Sequence, residues 1–347
     1  MAAVDKFLFD RAAQIATQAN LPWAELDGKT VLVTGSTGLI GSQIVRTLLS
    51  RNDCVDAGIS VVLPVRNIKK AQALFGDRND VSVLEWSLGD ELAGSERVDY
   101  VVHAACGTSS KSFLETPATT IMQIVHGGEA VLRYAYSVDA KKVLFLSTME
   151  VYGEVEGVAT EDNLGKLDPM VVRNSYPEAK RLVECLCASY ATEHGVPSVV
   201  MRLAQTFGEG VHPDDMRVFA DFGRHAIDGK DIVLLRDGLK RNGYLSVDDS
   251  VRAILIALVN GQSGEAYNAV NEDAYCSIRE MAQLVLDQFG AEGTQVRREF
   301  DPEREATFRK ASDLMLDSSK LKALGWEPND SLSDMYRAMI DCWSVHD

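Results

Sequence analysis

The sequence predicts an α/β protein, a doubly wound parallel sheet followed by a smaller α+β lobe. Three observations carry that expectation. Short runs that are apolar on both faces alternate with helical patterns, glycines recur every third residue after the first run, and the alternation loosens beyond Gly208. Strands that are apolar on both faces and separated by helices belong to parallel sheets covered on both sides. Crossovers in such sheets are right-handed, and ligands bind beyond the carboxyl ends of the strands.

The chain opens with a helical extension up to about Asp27, in which "FLFDRAAQIATQANLPWAEL" has helical apolar spacing and is expected to pack on the body or on a neighbouring subunit. "TVLVTG" then leads into "IGSQIVRTLLSR", "ISVVLPVR" into "NIKKAQALFG", and "VDYVVHAA" into "ATTIMQIVHGGEAVLRYAYSV", before "KKVLFLST". "SYPEAKRLVECLCASYATEHG" reads as a second long helix, with Pro177 suited to a first turn and Gly195 to a stop. "VPSVVMRLAQTFG" resembles another buried strand. Beyond it come helices, short strands and turn signals at "RDGLKRNG".

At 347 residues the chain has volume for a large buried core, and 46% hydrophobic with 25% charged residues is ordinary for a globular protein. A net charge of -16 argues against nucleic acid or an anionic membrane surface as the main partner, so an anionic ligand needs a local basic site. Apolar stretches such as "AILIALV" fall short of the roughly 20 residues that span a bilayer, and the amino terminus lacks the order of a signal peptide. Cysteines 54, 106, 185, 187, 276 and 342 form no CxxC pair and read as reduced thiols of a cytoplasmic protein. The histidines are scattered too, so no protein-bound metal is expected.

Gly35, Gly38 and Gly41 stand where the first strand meets its helix. Glycines there let the chain turn tightly, approach a pyrophosphate and pack helix against strand, while the helix N-terminus offers free amides to the phosphates. With Thr37, Leu39 and Ile40 in the same turn, this is a candidate dinucleotide site, and the sheet around it is of Rossmann type. In that logic the second strand ends in an acid that binds the adenosine ribose of NAD, but here it ends in Arg66 and Asn67. Arg66 either pairs with a 2′-phosphate, which favours NADP, or stacks on adenine or faces solvent. The expected organisation is residues 1–28 as extension, 29–205 as dinucleotide-binding domain and 206–347 mainly as substrate-binding lobe, with part of 240–270 returning to the first domain.

Tyr176 and Lys180 are four apart on a helix and share a face. A nearby ammonium favours a phenolate, which makes Tyr176 a candidate base for a sugar hydroxyl. "LFLSTMEVYGE" places Ser147 and Thr148 at a strand end, where Thr148 could hydrogen-bond the same oxygen. Here the chain resembles the extended short-chain dehydrogenase/reductases, in particular their NAD(P)-dependent nucleotide-sugar epimerase and dehydratase group. The matching stretches are "TGSTGLIG", "VVHAA", "LSTMEVYG", "SYPEAK", "RLAQTFGEGV", "RNGYLSVDD" and "LGWEP", in the family's order from about residue 29 to 328.

The resemblance implies that Gly35, Gly38 and Gly41 meet the pyrophosphate of NAD, that Ala104 and Ala105 line the cofactor, and that Thr148, Tyr176 and Lys180 form the catalytic trio. It also implies transient oxidation of a nucleoside-diphosphate sugar at C4, and a homodimer built through helices of the larger lobe. Glu150 matches a base that removes a proton next to the ketone, whereas Met149 stands where 4,6-dehydratases carry an acid. C4 epimerisation is the first expectation, with 4,6-dehydration and uronate decarboxylation as alternatives, the latter compatible with Thr148-x-Glu150 but lacking, in "TFGEGV", the arginine that the resemblance implies for it; a non-catalytic dinucleotide sensor is a reading of another class. Gln205 occupies the position of a substrate-touching asparagine, Arg241 matches an arginine that pairs with the diphosphate, and Arg217 is a second candidate clamp. Ser109, Ser110 and Lys111 follow the strand ending at Ala105 and are expected at the mouth of the site.

Overall fold

The computed structural model describes residues 3–94, 97–107, 110–299 and 313–345. Its first part runs α1 (Ala3–Ala16), α2 (Trp23–Leu26), β1 (Thr30–Thr34), α3 (Leu39–Val55), β2 (Ser60–Val65), α4 (Ile68–Phe75), β3 (Val81–Glu85) and β4 (Tyr100–His103). It continues through α5 (Ser110–Glu115), α6 (Pro117–Ser137), β5 (Lys142–Thr148), β6 (Val158–Ala159), α7 (Ser175–Glu193) and β7 (Ser198–Leu203). Runs rich in valine and leucine between polar turns extend because β-branched side chains pack well on a pleated surface.

The second part holds β8 (Gln205–Phe207), α8 (Val218–Ile227), β9 (Ile232–Leu234), β10 (Arg241–Ser246), α9 (Val247–Asn260), β11 (Ala266–Ala269) and β12 (Asn271–Ser277). It ends with α10 (Ile278–Phe289), β13 (Val296–Arg298), β14 (Met315–Leu316), α11 (Ser319–Lys322) and α12 (Leu332–Ser344). Seven strands form one parallel sheet in the order β11-β7-β5-β4-β1-β2-β3. The order reverses direction between β1 and β4, where the helices after the two strands leave on opposite faces and open a crevice. β11 pairs with β7 from Ala266↔Val200 to Ala269↔Leu203, so a segment following the second lobe supplies an edge of the main sheet.

One face of the sheet packs α3 and α9 through Ile44, Leu48, Ile254 and Leu258, all fully buried. The other packs α6 and α7 through Val131, Tyr134, Val183 and Cys187. A third core, around Phe207, Phe219, Met281, Tyr336 and Trp343, belongs to the second lobe. The run "VPSVVMRLAQTFG" is two strands rather than one: Ala204 donates to Ala269, and β8 then leaves the main sheet to pair with β10. The amino-terminal extension is also broken in two, with Trp23 Nε1 donating to Gln18 between α1 and α2.

Candidate active site

β1 ends at Thr34, and Gly35 turns the chain with a φ of 69°. A Cβ on Gly35 would lie 2.6 Å from the backbone of Ala104 and Ala105, just beyond β4, and one on Gly41 would overlap the Gly35 carbonyl. The protein itself therefore requires those two glycines. Gly38 differs, because it is exposed, has an ordinary φ of -90°, and its Cβ would come no closer than 3.3 Å to Gly35 O. Its bare backbone is what this turn offers to a ligand. Thr37, Leu39 and Ile40 are half-buried beside it, the first turn of α3 carries no acidic residue, and the buried Ser36 hydroxyl has no hydrogen-bond partner. An unpartnered hydroxyl beside open amides at a helix N-terminus fits a pyrophosphate.

The Thr34 hydroxyl accepts from Ala105 N at 3.2 Å and lies 2.7 Å from His103 Nδ1. His103 itself is wedged between Trp86 and Phe145. Burial, and then the charge of Lys180, push its pKa down to about 3, so the ring is a neutral brace under the crevice. Arg66 and Asn67 are exposed at the end of β2, where Asn67 caps α4 by accepting from Lys70 N at 2.9 Å.

The end of β5 brings Thr148 to Tyr176 and Lys180 on the first turns of α7. Lys180 Nζ is buried, donates to Leu146 O at 2.7 Å, and lies 5.9 Å from the centre of the Tyr176 ring. Burial first, then the neighbouring Cys106 and Glu150, hold the Tyr176 phenol well above the usual tyrosine range, while a hydrogen bond with Thr148 and the charge of Arg173 act the other way. This differs from the expectation of a phenolate favoured by Lys180. Desolvation outweighs the cations, so the Tyr176 phenol keeps its proton.

Behind this face, Glu184 on α7 accepts a short hydrogen bond from Ser147 and is gripped by Arg202 of β7 at 2.8 Å. Arg202 also donates to Tyr152 Oη at 3.0 Å, and Tyr152 donates to Asn268 at 2.6 Å. In front, Arg173 Nη1 pairs with Glu150 Oε2 at 3.0 Å and lies 5.1 Å over the Phe113 ring, which stacks on Tyr176 at 4.4 Å. Lys240 senses the charges of Glu150, Arg236 and Arg173, and its pKa is lowered chiefly by burial. Glu150, paired with Arg173 and within the field of Lys240, thus stands near the tyrosine. Sequence reasoning missed Arg173, Arg236 and Lys240. Arg173 is one turn before Tyr176, a signal present in the sequence, whereas the other two lie in a stretch that reads as turn.

Arg241 is held by Glu280 at 2.9 Å and lies over Tyr275, and exposed Arg217 is held by Asp215 at 2.6 Å, so any diphosphate must displace a carboxylate from each. Gln205 is exposed at the start of β8. Ser109 lies outside the described residues, and Ser110 and Lys111 begin α5 with side chains that also lie outside them. Among the described residues, no cluster of histidine, cysteine or carboxylates is placed to hold a metal, and no helix is long and apolar enough to cross a membrane.

A family model, the NAD dependent epimerase/dehydratase family, matches residues 31–271. The low-salt glycan biosynthesis protein Agl12 of Haloferax volcanii is 29% identical over 316 residues, covering 90% of this chain and 97% of that protein. UDP-glucuronic acid decarboxylase 1 of Xenopus tropicalis is 28% identical over 310 residues, covering 88% of this chain and 70% of its own. The solved structure of UDP-glucose 4-epimerase from Thermotoga maritima, with UDP-glucose, shares the fold with a TM-score of 0.76 and 24% identity, covering 91% of this chain and 99% of that one.

Proposed function

The chain belongs to the NAD dependent epimerase/dehydratase family, and we propose that it oxidises C4 of a nucleoside-diphosphate uronate and releases the C6 carboxylate as carbon dioxide. The observation that carries this reading is the Glu150 carboxylate, paired with Arg173 and within the field of Lys240, near Tyr176. Bound NAD supplies the hydride acceptor at C4. Gly38 and the first turn of α3 would hold its pyrophosphate, with Ala104 and Ala105 alongside. Exposed Arg66 would meet a 2′-phosphate if the cofactor were NADP.

Tyr176, as the phenolate that the charge of Lys180 and of the oxidised nicotinamide would favour, would take the proton of the C4 hydroxyl, with Thr148 hydrogen-bonded to the same oxygen. The resulting ketone is β to the C6 carboxylate, so the C5–C6 bond can break with its electron pair delocalised into the C4 carbonyl. Arg173 would exchange Glu150 for the substrate carboxylate, Glu150, protonated from water, would return a proton to C5, and return of the hydride to C4 and of the proton from Tyr176 to its oxygen would give the pentose and restore the oxidised cofactor. Arg217, Arg241 and Gln205 would face the nucleotide diphosphate and sugar. Dehydration at C6 fits less well, because the buried thioether of Met149 cannot protonate a leaving hydroxyl.

A second reading, C4 epimerisation, needs only Thr148, Tyr176 and Lys180, and the likeness to a UDP-glucose 4-epimerase favours it. Both place the reaction in a homodimer, as the family resemblance implies. Incubating the protein and NAD with UDP-, dTDP-, GDP- and CDP-sugars, uronates included, and following products by NMR separates them. Carbon dioxide release with a pentose product supports decarboxylation, and an inverted C4 supports the epimerase. No turnover, with Tyr176→Phe indistinguishable from wild type, would overturn both in favour of a dinucleotide sensor.

A further inference from the structure

The amino-terminal helix contacts the helix that follows the glycine turn. Gln43, half a turn beyond Gly41, donates to Asp248 at 3.3 Å and to the Leu8 carbonyl at 3.5 Å. Arg46 reaches Asp5 at 3.6 Å and lies 5.8 Å over the Phe9 ring. Leu39, the first residue of α3, and Leu8 of α1 flank Gly210 from its two sides, at 3.3 and 3.6 Å from where a Cβ would stand.

Between these contacts lies a buried charge cluster. Arg11 of α1 pairs with Asp248 at 2.7 Å and reaches Glu209 at 3.7 Å. Glu209 is 1% exposed, and burial first, then the neighbouring Asp248, hold its carboxyl well above the usual carboxylate range. Two carboxyl groups buried side by side repel, so one keeps its proton, and a cation beside them lowers the cost of ionising the other. Arg11 is that cation, and it comes from a segment outside the sheet. Without it Asp248 loses its ion pair, and the Gly208–Val211 loop and the first turn of α9 lose the cation they share.

We propose that Arg11 is a positioning residue of the dinucleotide site: by holding Asp248 and Glu209 it fixes the loop and the Gln43 contact against which the first turn of α3 is set. The inference rests on the assignment of that turn to the pyrophosphate. Its test is the dissociation constant for NAD, measured by calorimetric titration of the full-length protein, together with the melting temperature.

Arg11→Met is expected to weaken NAD about tenfold at a temperature where circular dichroism shows it folded, and Arg11→Lys about threefold, because an ammonium keeps the charge but loses the fork. The charge-balanced Arg11→Met/Asp248→Asn protein is expected to return to within about threefold of wild type. A lowered melting temperature with wild-type NAD affinity, in Arg11→Met or, should that variant not fold, in Arg11→Lys, would overturn the inference and leave Arg11 a stabilising residue only. Gly38→Val separates this from failure of the premise: if it binds NAD as wild type does, the turn is not the pyrophosphate site and the inference falls with it.

Discussion

Two arginine–glutamate pairs flank the end of β5, and they are built for different tasks. Arg202 and Glu184 are 6% and 10% exposed, and Ser147 and Tyr152 complete their hydrogen bonds. Arg173 and Glu150 are 37% and 38% exposed, and apart from each other their neighbours are the Phe113 ring and more distant charges. Breaking a buried pair strands an uncompensated charge, whereas an exposed pair is worth little because water replaces either partner. The rear pair fixes α7 against β5 and so sets where Tyr176 stands relative to Thr148. The front pair can be exchanged for a ligand.

The sharpest way to break this contrast is to remove one member of the rear pair. Arg202→Met should cost about 3–5 kcal/mol in denaturant unfolding, and adding Glu184→Leu should recover part of it. A loss below about 1 kcal/mol would mean that the rear pair is no more structural than the front one. Next in size is Glu150→Gln, expected to lower kcat about a hundredfold while unfolding stays within about 1 kcal/mol of wild type. Unchanged turnover would leave Glu150 without a chemical role and strengthen the epimerase reading.

Acid should also tell the two regions apart. His103 has a pKa of about 3 in the fold against 6.5 when unfolded, so between those values the unfolded chain binds the extra proton. Its contribution is complete above pH 6.5 and is lost as pH falls, amounting to about 2 kcal/mol at pH 5. Unfolding curves at pH 7 and pH 5 measure it, and His103→Gln should flatten the difference. The smallest effect belongs to Arg173→Ala, expected to change stability by less than about 1 kcal/mol yet raise KM for the substrate. A stability loss as large as that of Arg202→Met would erase the distinction.

The alternation of apolar runs and helices was readable because each strand is buried on both faces, so its period and length survive without knowledge of its partners. Tyr176 and Lys180 were readable because they share one helix face, and the glycine turn because its constraint is local. The grip of Arg202 on Glu184 was not, since it joins residues 18 apart across a helix-to-strand turn and nothing in either stretch marks the pairing. Lys240 and Arg236 sit in a segment whose turn signals hid its charge. The split of "VPSVVMRLAQTFG" into two strands depends on β10, which arrives more than thirty residues later.

The contacts of Arg11 also set an order in time. On a growing chain α1 emerges before its partners, with Glu209 following about 200 and Asp248 about 240 residues after Arg11, and the edge strand β11 joins the sheet only once residue 269 has been made. Closing such long loops is the slow, entropically costly part of assembly. During synthesis the first helix therefore waits with its arginine unpaired from these partners, and the glycine turn acquires that backing only once residue 248 has been made.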